Sequence, residues 1–525
     1  MHGVSAAYER LLGGILRRSL PFRILGIFVA GGILTAATVV LYRSLEGDFL
    51  PEEDKGRLFC FVVAPEGSTP EYTDSMLKEM EEILASTPEI ELYGAMVAPG
   101  FSGPGQGNSG IVFVKLKEER DRSVQEIVGG PDGLRAKFIR DVEGAIAIPN
   151  IPKAIDRSFN SPFQLVIQGN DLARLDATAR DLANKLRASG FLQNVQSSFE
   201  VNKPELRLTI DRDRASSLGV SVEDVSRTLQ ILFGGLDLAK IKRDGKEYDV
   251  VAQLERESRS TPQDLDRLYV RNGSGQLVQL SSVITREIGV APNRIERFNR
   301  LRSATLSGTP VGVSMGTAVA RVEEILKSEL PPGMIYSWYG ESRDLKDARD
   351  EIAWVVALAL IIVFMVLASQ FESLIHPLTV MLTVPLAAFG ALAGLWLVGA
   401  AAQAKLIPTV PAMNINLFSQ IGVVLLIGLV TKNGILLVEF ANQLREQGLD
   451  AATAMIRAGA IRLRPILMTA FSTIAGTLPI AIGFGAGAES RRPMGVAVVG
   501  GMITSTVLTL LVVPVVYGVF QDLTG

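Results

Sequence analysis

The sequence predicts a membrane α-helical protein of six transmembrane helices that carries one large α+β insertion. Three observations predict it: six long apolar segments, a polar stretch over 44–350 between the first and the second, and strand and helix patterns alternating inside that stretch. A spanning helix needs about 20 mostly apolar residues. Segments 24–42, 352–369, 378–400, 415–440, 465–486 and 494–520 qualify. A mean hydropathy of +0.28 with 48% hydrophobic residues fits a chain divided between membrane and water.

Composition narrows the chemistry. A formal net charge of −3 gives no reason to expect nucleic-acid binding. The single cysteine, Cys60, excludes an internal disulfide and any multi-cysteine metal site. Two histidines, His2 and His376, leave little material for a zinc centre or a catalytic triad. Composition therefore argues against a metalloenzyme.

The elements follow in order. Residues 1–22 read as a cytoplasmic membrane-surface segment, amphipathic over 7–18, and 23–43 as the first span. That span is too long for a secretory leader and lacks a clear cleavage site. Basic residues set the orientation. Arg10, Arg17, Arg18 and Arg23 precede the first span, and Arg445, Arg457, Arg462 and Arg464 lie between the fourth and fifth. An even number of crossings puts both groups on one face, the cytoplasmic one, and the insertion on the other.

Inside the insertion, 58–63 reads as a strand, 69–86 as a helix, and 90–97 and 111–117 as strands. The helix starts at Thr69-Pro70 and places Met76, Met80 and Leu84 on one face. A second unit follows: strand 163–168, helix 171–189 stopped by Gly190, strand 205–211, and helix 221–233 with a Ser-x-x-Asp start. Such units suggest paired ferredoxin-like subdomains. The boundaries are 44–160 for the first subdomain, 161–235 for the first part of the second, 236–297 for a strand-rich insertion and 298–350 for completion of the second. Strands near 301–308 and 334–339 flank the last helix, 316–329, and 351–525 holds five spans.

Lys432 stands alone in the fourth apolar segment, which has one acid, Glu439, two helical turns further on. A charge at membrane depth costs about 2.5–3.5 kcal/mol on insertion scales, so a partner or a water-filled path is expected. The partner is expected on another polypeptide. The competing reading is a lysine that snorkels to a helix end, which a position deep within the run disfavours.

The local sequences resemble one family. Gly47-Asp-Phe-Leu-Pro-Glu-Glu-Asp-Lys-Gly56, Gly428-Leu-Val-Thr-Lys-Asn-Gly-Ile-Leu-Leu-Val-Glu-Phe440 and Arg462-Leu-Arg-Pro-Ile-Leu-Met-Thr469 are similar to three segments of resistance–nodulation–division (RND) transporters, hydrophobe/amphiphile efflux branch. The order of span, large insertion and five spans resembles the C-terminal half of such a multidrug efflux pump inner-membrane subunit. The resemblance implies periplasmic porter subdomains with an inserted docking subdomain, in the bacterial inner membrane. It also implies proton antiport driven by the proton-motive force without a cofactor. In the family scheme an Asp pair on the fourth span of the N-terminal half faces the Lys of the tenth, and protonation loosens that pairing. Lys432 matches this Lys, and Arg462 and Thr469 match the basic and hydroxyl groups of the relay. Arg462 also reads as a positive-inside anchor and Thr469 as a residue bonding its own helix.

For the substrate path, the resemblance implies an aromatic pocket. Gly100-Phe-Ser-Gly-Pro-Gly-Gln106 resembles a pocket-dividing loop with Phe101 at its second aromatic position. Phe59, Phe61 and Phe113 match pocket-side positions, and Asp156 an acid at the lateral entrance. Ordinary sheet core is the competing reading of Phe59, Phe61 and Phe113. Pro99, Pro104, Ala147, Pro149 and Gln196 depart from the aromatic or basic residues of the broad-spectrum pumps, which leaves substrate identity open.

The expected function is half of a proton-driven exporter that moves amphiphilic or hydrophobic compounds from periplasm or membrane toward an outer-membrane channel. Its expected partners are an N-terminal RND half carrying the Asp pair, a trimeric assembly, a periplasmic adaptor, the outer-membrane channel and membrane lipid. Alternatives are a six-span homo-oligomer using Glu439, a non-functional truncated fragment and a protein-translocation accessory. A heavy-metal exporter is disfavoured, since that branch tends to place an acid at the position of Lys432.

Overall fold

Alternation of apolar residues builds the first sheet. In β1 (Arg57–Val63), Leu58, Cys60 and Val62 point to one face, and all three are buried there. The computed structural model describes residues 2–51, 53–100, 105–153, 161–292, 294–404, 406, 413–485 and 487–524. Two helices, α1 (His2–Leu16) and α2 (Leu20–Ser44), precede this strand. After it come α3 (Pro70–Ala85), β2 (Ile90–Val97), β3 (Ser109–Leu116), α4 (Val124–Gly129), α5 (Leu134–Asp141) and β4 (Ile146–Asn150). Thr69 accepts from the Tyr72 N–H and caps α3, and a Ser123–Glu126 capping box starts α4. The four strands run antiparallel in the order β2-β3-β1-β4, with Met80, Leu84, Ile127 and Phe138 packed on the helix side.

A second sheet repeats this plan. Its parts are β5 (Phe163–Gln168), α6 (Leu172–Ala188) and β6 (Leu192–Ser197), then, after an interruption, three strands and a helix. The interruption is the separate compact unit Phe199–Ile295. It contains β7 (Val201–Ile210), α7 (Arg212–Ser217), α8 (Val222–Leu229), β8 (Leu236–Arg243), β9 (Lys246–Ala252), β10 (Tyr269–Arg271), β11 (Leu277–Gln279) and β12 (Ile284–Pro292). The second sheet resumes with β13 (Glu296–Phe298), β14 (Leu301–Pro310), α9 (Met315–Glu329) and β15 (Ile335–Trp338). Its strands run β13-β14-β5-β15, with β6 also paired to β14.

The sequence placed strand 205–211 and helix 221–233 in this second sheet unit. Instead β7 pairs along its length with β12, so it and α8 belong to the interrupting unit. The strand that fills the place is β6, whose weak alternation is broken by Asn194 at φ 54° and by a register shift opposite Ser307. Pairing with β14, more than 100 residues away, makes it a strand.

The chain then enters a helical bundle: α10 (Gly340–Phe371), α11 (Ile375–Met381), α12 (Thr383–Gln403), α13 (Leu417–Glu446), α14 (Ala451–Ile482) and α15 (Ala488–Thr524). With α2, and with α11 and α12 taken as one, six helices among the described residues are long and apolar enough to cross a membrane. With 32 residues, α10 is about 48 Å long and exceeds a hydrocarbon core of about 30 Å. Small residues let α15 approach its neighbours. A Cβ on Gly390 of α12 would lie 2.5 Å from Thr504 Cβ and 2.6 Å from the Gly500 carbonyl oxygen. Without a hydrophobic drive in lipid, such close contact holds helices together. At one end α1 lies on α14, burying Leu12 and Leu16, and Tyr8 donates to the Leu510 carbonyl at 2.6 Å.

Gly390→Ala is expected to destabilise the bundle by about 1–3 kcal/mol, because the clash is with backbone and a branched side chain. Thermal unfolding in detergent tests this; an unchanged midpoint would show that the helices separate freely there.

Candidate functional site

Helix α13 divides its residues by face. Gly422, Leu426, Val430, Gly434, Leu437 and Ala441 are buried against the bundle. Ile421, Leu425, Lys432 and Glu439 form the opposite stripe and are exposed. The packing is close on the inner side: a Cβ at Gly434 would sit 3.1 Å from Val380, and one at Gly422 3.0 Å from the Met494 carbonyl. Lys432 therefore points away from its own chain's bundle. Among the described residues no carboxylate pairs with it. Glu439 instead accepts from Gln443 at 3.2 Å.

The other relay candidates lie on α14. The Arg462 guanidinium carbon sits 4.5 Å from the Phe440 ring centre, and its buried Nε finds no hydrogen-bond partner among the described residues. Thr469 donates to the Ile466 carbonyl of its own helix at 3.0 Å. No hydrogen bond joins Lys432, Arg462 and Thr469 in this chain's described residues. Asn433, which sequence reasoning passed over, is 2% exposed with an unpartnered Nδ2. Its signal was available in the polar triplet Thr431-Lys432-Asn433. His376 stacks on Tyr517, whose hydroxyl donates to Asn442 at 2.7 Å.

Phe59, Phe61 and Phe113 lie together on the first sheet's face opposite its helices, each half-buried. Phe59 pairs with Phe113 across β1 and β3, ring centres 5.5 Å apart and edge to face. Strand register builds two rows across the sheet: Met96, Ile111, Phe61 and Ile148, then Gly94, Phe113, Phe59 and Asn150. These phenylalanines are not in the core cluster that packs under α3 to α5. Phe101 and Asp156 lie outside the described residues.

A cleft of about 780 Å³ opens beside this face. Ile148, next to Phe61 in the sheet, lines it together with Arg135, Lys153, Glu341, Asp344 and Asn194. Lys153 and Glu341 pair at 2.5 Å across it. The start of β1 is held by Asp54, which pairs with Arg120 and accepts from the N–H groups of Val124 (3.0 Å) and Gly56 (3.1 Å). Burial works to raise the Asp54 pKa, but the guanidinium and these N–H donors outweigh it and hold the carboxyl below the usual carboxylate range. Among the described residues no cluster of His, Cys, Asp and Glu could hold a metal ion.

With this geometry in hand, comparison with known proteins decides the family. A sequence model of the AcrB/AcrD/AcrF family matches residues 1–521. The chain belongs to that family. Its members are RND efflux transporters, and this chain is a multi-pass inner-membrane protein. Over 99% of its length it is 34% identical to the toluene efflux pump membrane transporter TtgB of Pseudomonas putida, covering 48% of that protein. It is 33% identical to the multidrug/solvent efflux pump membrane transporter MepB of Pseudomonas putida, with 99% of the chain and 48% of the relative aligned. To the multidrug export protein AcrF of Escherichia coli it is 32% identical, over 93% of the chain and 47% of the relative. The chain thus spans about half the length of the curated relatives it matches.

A folded-state pKa below the unfolded value makes Asp54 a stabilising group above about pH 4, and that contribution is lost as pH falls through the folded pKa. Asp54→Asn should lower stability at neutral pH and flatten the loss on acidification. Acid unfolding followed by fluorescence measures both slopes, and parallel curves would remove Asp54 from the account.

Proposed function

We propose that the chain is the C-terminal half of a proton-driven RND exporter of amphiphilic or hydrophobic compounds, working with a six-span half that supplies the acids opposite Lys432. One observation carries the reading: an ammonium on an outward apolar stripe of α13, with no acid paired to it among the described residues. A charge there is costly unless paired, and a carboxylate that takes up a proton would switch the pairing off. Arg462 and Thr469, one helix away, would complete the relay, driven by the proton-motive force alone.

The β2-β3-β1-β4 order and its repetition in the second sheet support ferredoxin-like porter subdomains. Unit Phe199–Ile295 would be the docking subdomain. The half-buried rings of Phe59, Phe61 and Phe113 suit amphiphiles, since apolar burial is non-directional. Assembly would be a trimer of two-half protomers with a periplasmic adaptor and an outer-membrane channel, the large α+β module lying in the periplasm. A second reading is a homo-oligomer in which Glu439 of one copy serves another; Glu439 shares the Lys432 stripe and is exposed.

Lys432→Ala should leave assembly intact and abolish efflux; ordinary dye accumulation by that variant would sink the relay. Native mass of the tagged complex separates the two readings: a six-span companion with an Asp pair supports the split pump, copies of this chain alone the homo-oligomer. Phe61→Ala should weaken apolar-probe affinity by about 5–30-fold, the cost of about 1–2 kcal/mol for a half-buried ring. Fluorescence titration checks this, and an unaltered affinity would leave Phe61 a purely structural residue.

A further inference from the structure

The segment that leaves α2 makes several backbone contacts at once. The Ile415 N–H donates to the Glu46 carbonyl at 2.8 Å, the Asp48 N–H to the Ile415 carbonyl at 3.0 Å, and the Leu417 N–H to the Phe49 carbonyl at 3.2 Å. Gly47 and Ile415 form a parallel bridge. These bonds tie residues 46–49 to the start of α13, where buried Asn416 and Ser419 form a capping box. From the other side, the Gly316 N–H in the first turn of α9 donates to the Gly47 carbonyl at 3.0 Å. Amides in a helix's first turn have no partner inside the helix, so Gly47 satisfies one that α9 leaves open. Beside it, the buried Ser342 hydroxyl of α10 reaches Met315 Sδ at 3.7 Å and accepts from the Gln164 N–H at 3.2 Å.

Gly316 is needed there for space. A Cβ on it would lie 2.7 Å from the Gly47 oxygen and 3.4 Å from its carbonyl carbon, both backbone atoms. Its φ lies outside the left-handed region, so the demand is steric and not conformational. The same patch of chain lines the cleft, through Asp48, Phe49, Leu50, Leu417, Ser314 and Met315.

We propose that Gly316 and Gly47 are positioning residues, whose backbone contact is the joint through which displacement of the Lys432 helix reaches α9 and the cleft. This rests on the transport reading above. Packed helices shift as rigid bodies, and a hydrogen-bonded contact between two of them passes the shift on. Lys432 stands fifteen residues beyond Leu417, about 22 Å along α13 from the joint. A sideways movement of α13 at Lys432 therefore arrives at Gly47 as a movement of backbone, and Gly47 carries it to α9.

The test uses the complete assembly in proteoliposomes with Gly316→Ala, and Gly14→Ala as control because a Cβ at Gly14 meets open space. Export of an amphiphilic dye should fall by about tenfold, while dye affinity and proton influx under an imposed gradient stay within about twofold. Wild-type export by Gly316→Ala overturns the proposal. Loss of proton influx together with export also overturns it, since a broken joint leaves the relay running, and loss of dye affinity would make Gly316 merely structural. Should the variant fail to accumulate, amide hydrogen exchange of the unaltered protein decides: Gly316, Asp48 and Ile415 must exchange as one unit, and independent exchange overturns the joint. Absence of proton-driven export from the unaltered assembly would defeat the transport reading, and the exchange pattern then tests the joint by itself.

Discussion

The constraint that organises this chain is the cost of an unsatisfied polar group at membrane depth. Several hydroxyls in the bundle meet it locally, although the buried Thr509 Oγ1 finds no partner among the described residues. Thr379, Thr431, Thr473, Thr477 and Thr506 each donate to the carbonyl four residues back, and Thr469 to the one three back. Backbone groups meet it by remaining helical. Lys432 has no such solution, because an ammonium cannot be neutralised by its own helix and its stripe faces outward. The proposed second half and proton relay turn on that one charge.

The two sheets show how one topology serves two chemistries. Each buries one face under its helices, with Leu58, Cys60 and Val62 in the first and Leu165, Ile167 and Leu306 in the second. Their other faces differ. The first exposes Phe59, Phe61, Phe113 and Met96 in part, an apolar surface without a fixed hydrogen-bond pattern. The second presents Gln164, Gln168 and Ser303, all buried, with Gln168 donating to Ser337 at 2.9 Å. Apolar faces accept varied partners, whereas buried amides demand matched ones. The aromatic face beside the cleft is the better candidate for contact with amphiphiles on that ground.

Much of this was legible because local signals agreed with the final structure. Thr69-Pro70 starts α3, Asp171 caps α6, and the apolar runs became α2 and the bundle helices, several of them extended by charged residues. Strand β6 was not legible, because Leu192 to Ser197 carries a broken alternation that only its pairing with β14 turns into a strand. The assignment of β7 failed for the converse reason: its alternation was clear, yet alternation does not name a partner, and that partner is β12. Phe59, Phe61 and Phe113 could be placed on a strand from sequence, but which face they occupy is set by the helices that claim the other one.

The sequence by itself determined the number of apolar helices, the presence of an α+β insertion and the isolation of Lys432 among apolar neighbours. Those properties depend on composition and short-range periodicity, which a single segment carries alone. Only the tertiary structure decided that Lys432 turns from its own bundle, that residues 199–295 close on themselves, and that Gly47 meets both Ile415 and Gly316. Each of these is a contact between residues far apart in the chain, and no local pattern encodes the geometry that brings such residues together.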